Sequence, residues 1–311
     1  MLRDEKQNLL DENFGEELKT LIRNVRPFCV IATPPCSTYS RARNHYSAKP
    51  GPRPIRSREH PRGFPWLSQK DKIKADEGTL LAERTWELFN LASDVGAFYL
   101  GEFPEDLGAT KNGIPASTWQ MQQFQDLLVL PGCRTFAIFQ CEFGAETPKP
   151  TRFVSDLRFF EGNIFLGAPQ FDKAWNYKGP LPSQCPHGGN HPQLIGTNEK
   201  GQWKTAPAAH YPGAMCLFIA RAIAKTWADS SSAPKGSKST DVQSDGRQKV
   251  WQCRSVPSGG QGIFRGFKFT CQCSFRCFVF TGCRSNFTSF FGCLSGSKTS
   301  CRFRTSIFFR C

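Results

Sequence analysis

No apolar run in this 311-residue chain approaches the ~18 residues that a membrane-spanning helix needs, so no such helix and no membrane partner are expected. The N-terminus, Met1-Leu2-Arg3-Asp4-Glu5-Lys6, is charged and lacks an apolar core segment, so no secretory signal is read there. Acidic residues are absent from Arg247 onward, although 11 Lys or Arg fall in that stretch. Aliphatic residues are scarce there too, while 12 Phe and 8 Cys crowd it. Its cysteines (Cys253, Cys271, Cys273, Cys277, Cys283, Cys293, Cys301 and Cys311) lack the paired Cys-x2-Cys spacings of a zinc ribbon. No helical or strand period is legible, so residues 251–311 are expected to be disordered. They read like a read-through or shifted-frame extension rather than an evolved domain.

The formal net charge of +14 suggests an acidic partner such as nucleic acid. Its distribution weakens that inference, because outside the tail 29 basic residues face all 26 acidic ones. The six other cysteines (Cys29, Cys36, Cys133, Cys141, Cys185 and Cys216) are scattered. They suit an intracellular, non-secreted protein with thiols, with the nucleus open to it, better than a disulfide framework.

Apolar spacing predicts helices over 9–24, 76–95, 117–129 and 212–227, the last opened by Pro212. Strands are expected at 28–32, 97–101 and 135–140, with a short one near Phe153-Val154. Strands alternating with helices predict a parallel α/β sheet. Residues 1–157 and 209–228 would form this unit. Residues 158–208 read as an irregular insert, and 229–250 as a flexible linker. Residues 41–75, rich in Pro, Gly, Arg and Lys, read as a long functional loop.

Chemistry-bearing segments fall at strand ends, where open α/β sheets place their ligands. Pro34-Pro35-Cys36-Ser37-Thr38-Tyr39-Ser40 follows the first strand, and its prolines stiffen the turn that aims Cys36. Glu102-Phe103-Pro104 ends the second strand. Gln140-Cys141-Glu142-Phe143-Gly144, then Lys149-Pro150-Thr151-Arg152, ends the third and opens the fourth. Tyr211-Pro212-Gly213 opens the last helix. Singly, each has a plain reading: Cys36 a buried thiol, Glu102 a loop cap or ion-pair partner, Arg152 a surface residue. The basic stretch Arg41 to Arg62 would be a solvated loop.

In this order the segments resemble the DNA (cytosine-5) methyltransferase family, its divergent phage and mobile-element members above all, over residues 9 to 228. The resemblance implies part of an S-adenosylmethionine-dependent, Rossmann-like sheet. Cys36 matches the family's nucleophile, which adds to carbon 6 of a flipped cytosine. Glu102 matches the carboxyl group that faces ring nitrogen 3 as a general acid. Arg152, or failing it Lys149, falls where the family carries a cation near the base carbonyl. Pro34 and Pro35 would border the cofactor. A mobile loop should stand beside the nucleophile, and Arg41, Arg43, Arg53, Arg56 and Arg58, interleaved with His45, Tyr46 and His60, suit phosphate contact. Lys149 would join them on DNA.

The family's glycine-rich cofactor turn and the two acidic residues that follow it are missing, so the chain reads as N-terminally truncated and S-adenosylmethionine binding is in question. The remaining strands would expose an apolar edge open to self-association. Phe103 stands where the family usually has Asn, and Ser37 where it usually has Gln. Thr33 and Cys36 argue against an amino-methyltransferase, which needs Asp or Asn before its prolines and an aromatic after them. One further cluster, Cys185-Pro186-His187-Gly188-Gly189-Asn190-His191, offers zinc ligand types in Cys185, His187 and His191. Without an evident fourth ligand it reads rather as a plain surface loop, or as a polar, DNA-facing one. The expected function is thus a cytosine-5 methyltransferase-like fragment. The alternatives are a non-catalytic nucleic-acid-binding remnant of a mobile element and a zinc-dependent interaction module.

Overall fold

The computed structural model describes residues 8–44, 52–188, 190–192, 199, 204 and 210–232, with four short tail segments at 262–264, 267–269, 277–281 and 308–309. Helix α1 (Glu12–Val25) starts where the Asp11 side chain accepts the Phe14 amide at 3.2 Å. It stops at Arg26, whose left-handed φ of 46° returns its N–H to the Ile22 carbonyl. Strand β1 (Cys29–Thr33) follows and is buried at every position, as expected of a strand covered on both faces. Helix α2 (Gln69–Asp94) is capped by Ser68 and leads to β2 (Phe98–Pro104). Helix α3 (Gln122–Leu128) precedes β3 (Arg134–Phe139), and β4 (Pro150–Ser155) comes next.

The insert contributes only short pieces: β5 (Phe165–Leu166), β6 (Gln170–Phe171) and β7 (Tyr177–Gly179). Helix α4 (Gly213–Ser232) closes the unit.

The central sheet runs β1-β2-β4-β3-β5. β1 and β2 are parallel, β4 lies antiparallel between β2 and β3, and β5 pairs antiparallel with the far side of β3. The sheet is therefore mixed, which corrects the expectation of a parallel one. The connection 140–149 is too short for the crossover that a parallel return needs, so β4 must come back antiparallel. Beyond β1, the tail strands β10 (Cys277–Thr281) and β11 (Phe308–Phe309) continue the sheet in parallel, while β8 (Gly262–Phe264) and β9 (Phe267–Phe269) form a separate hairpin. β1 is thus paired on both sides, and the open apolar edge expected there is not what the structure shows.

Alternate strand residues face two helical layers. Val30, Ala32, Tyr99 and Phe103 pack with Leu18 and Ile22 of α1, Trp86 and Phe89 of α2 and Phe124 of α3. Cys29, Ile31, Phe98, Leu100, Phe136 and Phe153 pack with Met215, Phe218 and Ile223 of α4. α2 begins at Gln69, earlier than the apolar pattern indicates, because its first turns are lysine-rich and lack periodicity. The helix expected at 117–129 is broken at Met121, whose backbone is extended.

Gly101 lets α2 lie close on the sheet, since a Cβ there would fall 2.6 Å from Phe89 Cε2 and 3.0 Å from Val154 Cγ1. Gly101→Ala is expected to destabilise the fold by about 1–3 kcal/mol, with partial recovery when Phe89→Leu is added. Equilibrium urea unfolding of both variants checks this.

Candidate functional site

The parallel register Ala32↔Gly101 brings the C-terminal ends of β1 and β2 to the same edge of the sheet. Pro34, Pro35 and Cys36 leave β1 there, all half-buried, and Glu102 lies near the end of β2. The antiparallel register Pro104↔Thr151 brings Lys149, just before β4, to that edge too. Tyr211, just before α4, reaches it from the other layer. Its hydroxyl donates to Glu102 Oε2. Lys149 Nζ lies 5.2 Å from the Tyr211 ring centroid. Lys149 has a positive φ of 29°, a conformation a lysine rarely adopts. Burial pushes the Glu102 carboxyl above its ordinary range, against the opposing pull of Lys149 and the Tyr211 hydroxyl. The sequence placed Cys36, Glu102 and Lys149 at strand ends, and the structure brings those ends together. Tyr211 was seen only as a helix opener.

Arg152 stands elsewhere. It is fully buried in β4, with Nε 2.7 Å from Glu105 Oε2 and a second contact to Glu105 Oε1 at 2.8 Å. Its remaining nitrogen donates to Thr135 Oγ1 and the Gly167 carbonyl. Tyr177 of the insert also donates to Glu105 Oε1 at 2.9 Å. This guanidinium is committed inside the sheet, which corrects its expected place beside the base, and Lys149 is the cation near Glu102.

Two of the loop arginines, Arg43 and Arg56, hold the turn that carries Cys36. Arg43 Nε donates to the Ser37 carbonyl at 2.6 Å and Arg43 also reaches the Arg53 carbonyl. Arg56, only 2% exposed, donates to Thr38 Oγ1, Thr79 Oγ1 and the Pro61 and Ala75 carbonyls, and lies 3.8 Å over the Tyr39 ring. Arg41 holds the Leu107 and Ala109 carbonyls, and Arg58 stacks 3.2 Å over Trp175. Their expected role in phosphate contact is corrected accordingly for the buried Arg56, and Arg41, Arg43 and Arg58 are engaged within the fold. Arg53 is exposed. His45 and Tyr46 lie outside the described residues. A feature missed in the sequence is Trp66, 72% exposed and stacked on Phe64 at 5.1 Å, with His60 edge-on to both. Two aromatics two residues apart beside Pro and Gly were the available signal.

Cys185, His187 and His191 come together with Cys141, the fourth ligand type that the sequence did not reveal. The ligand atoms of all four lie within 4.8 Å of one another. No protein-family model, curated protein or solved structure matches this chain.

Two outcomes test these assignments. Arg152→Met alone is expected to cost about 3–5 kcal/mol, because it strands the buried Glu105, whereas Arg152→Met with Glu105→Leu costs less than either single change. Denaturant unfolding of the cycle measures this. The raised Glu102 favours the proton in the folded state, so its contribution to stability is present at low pH and is lost as pH climbs through and above the ordinary carboxylate range. Glu102→Gln is therefore expected to gain on the wild type as pH rises above the ordinary carboxylate range, read as the difference in unfolding free energy.

Proposed function

We propose that this chain handles a cytosine base of DNA through Cys36 and Glu102, as the resemblance to cytosine-5 methyltransferases implies. The observation that carries the reading is the shared sheet edge: a thiol after β1, a buried carboxyl near the end of β2 that favours its proton, and Lys149 and Tyr211 beside that carboxyl. Exposed Trp66 adds a stacking surface of the kind that receives an unstacked base.

In this reading the Cys36 thiolate forms a bond to carbon 6 of the ring. The electron pair of the 5,6 double bond moves toward nitrogen 3, which takes the Glu102 proton. The resulting enamine takes a solvent proton at carbon 5. Reversal removes either hydrogen from carbon 5, returns the nitrogen 3 proton to Glu102 and expels the Cys36 thiolate. Lys149 steadies the carboxylate that remains after Glu102 gives up its proton.

The resemblance also brings S-adenosylmethionine, and the described residues do not fit it. Before β1 stands α1 rather than a strand and glycine-rich turn. Gly15 sits inside that helix, with Arg84 3.7 Å from where its Cβ would lie. The outer side of β1 pairs with β10. No methyl-transfer step is assigned to these residues, nor any cofactor contact to Pro34 and Pro35. The non-catalytic nucleic-acid-binding reading is the weaker one, because Arg41, Arg43, Arg56 and Arg58 are engaged internally.

Addition without a methyl donor predicts exchange at carbon 5. Full-length protein is expected to release tritium to water from single-stranded oligonucleotides carrying [5-³H]cytosine. Cys36→Ser should abolish the release, and Glu102→Gln should slow it by about 10²–10⁴-fold. No release by wild-type protein with a native circular dichroism spectrum would overturn the reading. Salt-dependent DNA binding that survived in Cys36→Ser would then favour the non-catalytic one.

A further inference from the structure

Four ligand-type side chains meet where the insert folds back against the β3–β4 connection. Cys141 lies in the short 3-10 turn Gln140–Phe143 that follows β3, and Cys185, His187 and His191 come from the insert. Both cysteines are buried, in a small apolar cluster with Ala137, Phe139 and Leu181. Cys185 Sγ is 3.0 Å from His191 Nε2. His191 Nδ1 is 2.9 Å from the Glu146 carbonyl. A carbonyl only accepts, so Nδ1 carries the hydrogen and Nε2 presents its lone pair toward the sulfur. That is the second contact by which metal-binding histidines are oriented. The His187 and His191 rings lie 5.7 Å apart, centroid to centroid. Next to Cys141, both carboxylate oxygens of Glu142 are buried with no hydrogen-bond partner among the described residues.

We propose that Cys141, Cys185, His187 and His191 bind one zinc ion in a closed, tetrahedral, structural site that fastens the insert to the β3–β4 connection. Tetrahedral ligands about 2.0–2.3 Å from a shared centre lie about 3.3–3.8 Å apart, and all four ligand atoms lie within 4.8 Å of one another. Two sulfurs and two imidazole nitrogens are a zinc donor set, and four protein ligands leave no open position for catalysis. As protonated thiols in an apolar pocket, Cys141 and Cys185 gain little; as thiolates on zinc the two negative charges are neutralised by the ion. The proposal is independent of the base-handling reading, since none of the four ligands serves it.

The tail carries 8 other cysteines that could hold metal adventitiously, so the test uses the full chain with all of them changed to serine, beside the wild type. The expected result is one zinc per chain by elemental analysis in both. Replacement by cobalt should give the intense visible bands of a tetrahedral site, with thiolate charge transfer. Cys141→Ser should lose the metal. His187→Ala, an exposed position that leaves the core untouched, should weaken zinc by more than about 100-fold in chelator competition while the protein stays folded. Zinc lost with the tail cysteines alone, an unchanged affinity in His187→Ala, a Cys141–Cys185 disulfide in protein purified under reducing conditions, or folded wild type that takes up neither zinc nor cobalt would each overturn the proposal.

Discussion

The buried pair Arg152–Glu105 is the contact on which the rest of the structure depends. An antiparallel strand between two parallel ones puts the middle of β4 where neither water nor a helix end can serve a charge. Arg152 sits there with 0% exposure, and its fork reaches Glu105 just past β2, Thr135 on β3 and the Gly167 carbonyl in the insert. Tyr177, also of the insert, donates to the same carboxylate. Such a pair adds little net stability over apolar residues of the same volume, but half of it is intolerable. It therefore specifies which strands neighbour which, and so sets the edge where Cys36, Glu102 and Lys149 collect.

The cationic stretch after β1 illustrates the same economy. Composition alone makes a run of arginines look like a phosphate-binding surface. Their partners are instead backbone carbonyls and small hydroxyls: Ser37 and Thr38 in the turn that carries the thiol, and Leu107 and Ala109 in the loop after β2. Guanidinium groups fill this role well because one planar fork can satisfy several carbonyls that an irregular loop leaves over.

Much of the fold was legible in apolar spacing. β1, β2, β3 and α1 fall within a few residues of their expected bounds, because burial on both faces gives runs such as Cys29–Thr33 an unbroken apolar character. The strand direction of β4 was not legible from pattern, which carries period but not polarity; the length of the 140–149 connection held that information. The first turns of α2 were hidden by Lys70, Lys72 and Lys74, which face solvent and leave no period. The candidate site divides the same way. Cys36, Glu102 and Lys149 stand at strand ends and were visible. The commitment of Arg152 was not, since a residue's partner across a sheet leaves no mark on its neighbours in sequence. Cys141 likewise gave no sign of meeting Cys185, His187 and His191, being separated from them by the whole of β4 and most of the insert.

Arg56 joins the Cys36 turn to α2 through Thr38 on one side and Ala75 and Thr79 on the other, and Gly78 lets the helix come near enough, since a Cβ there would fall 2.5 Å from Thr38 Oγ1. The turn and the second and third turns of α2 therefore belong to one cooperative unit of local unfolding, although more than thirty residues separate them in sequence. The position of the thiol is inherited from the helix: an opening that frays α2 as far as Ala75 also releases Thr38, and the turn loses its aim before the sheet beneath it is disturbed.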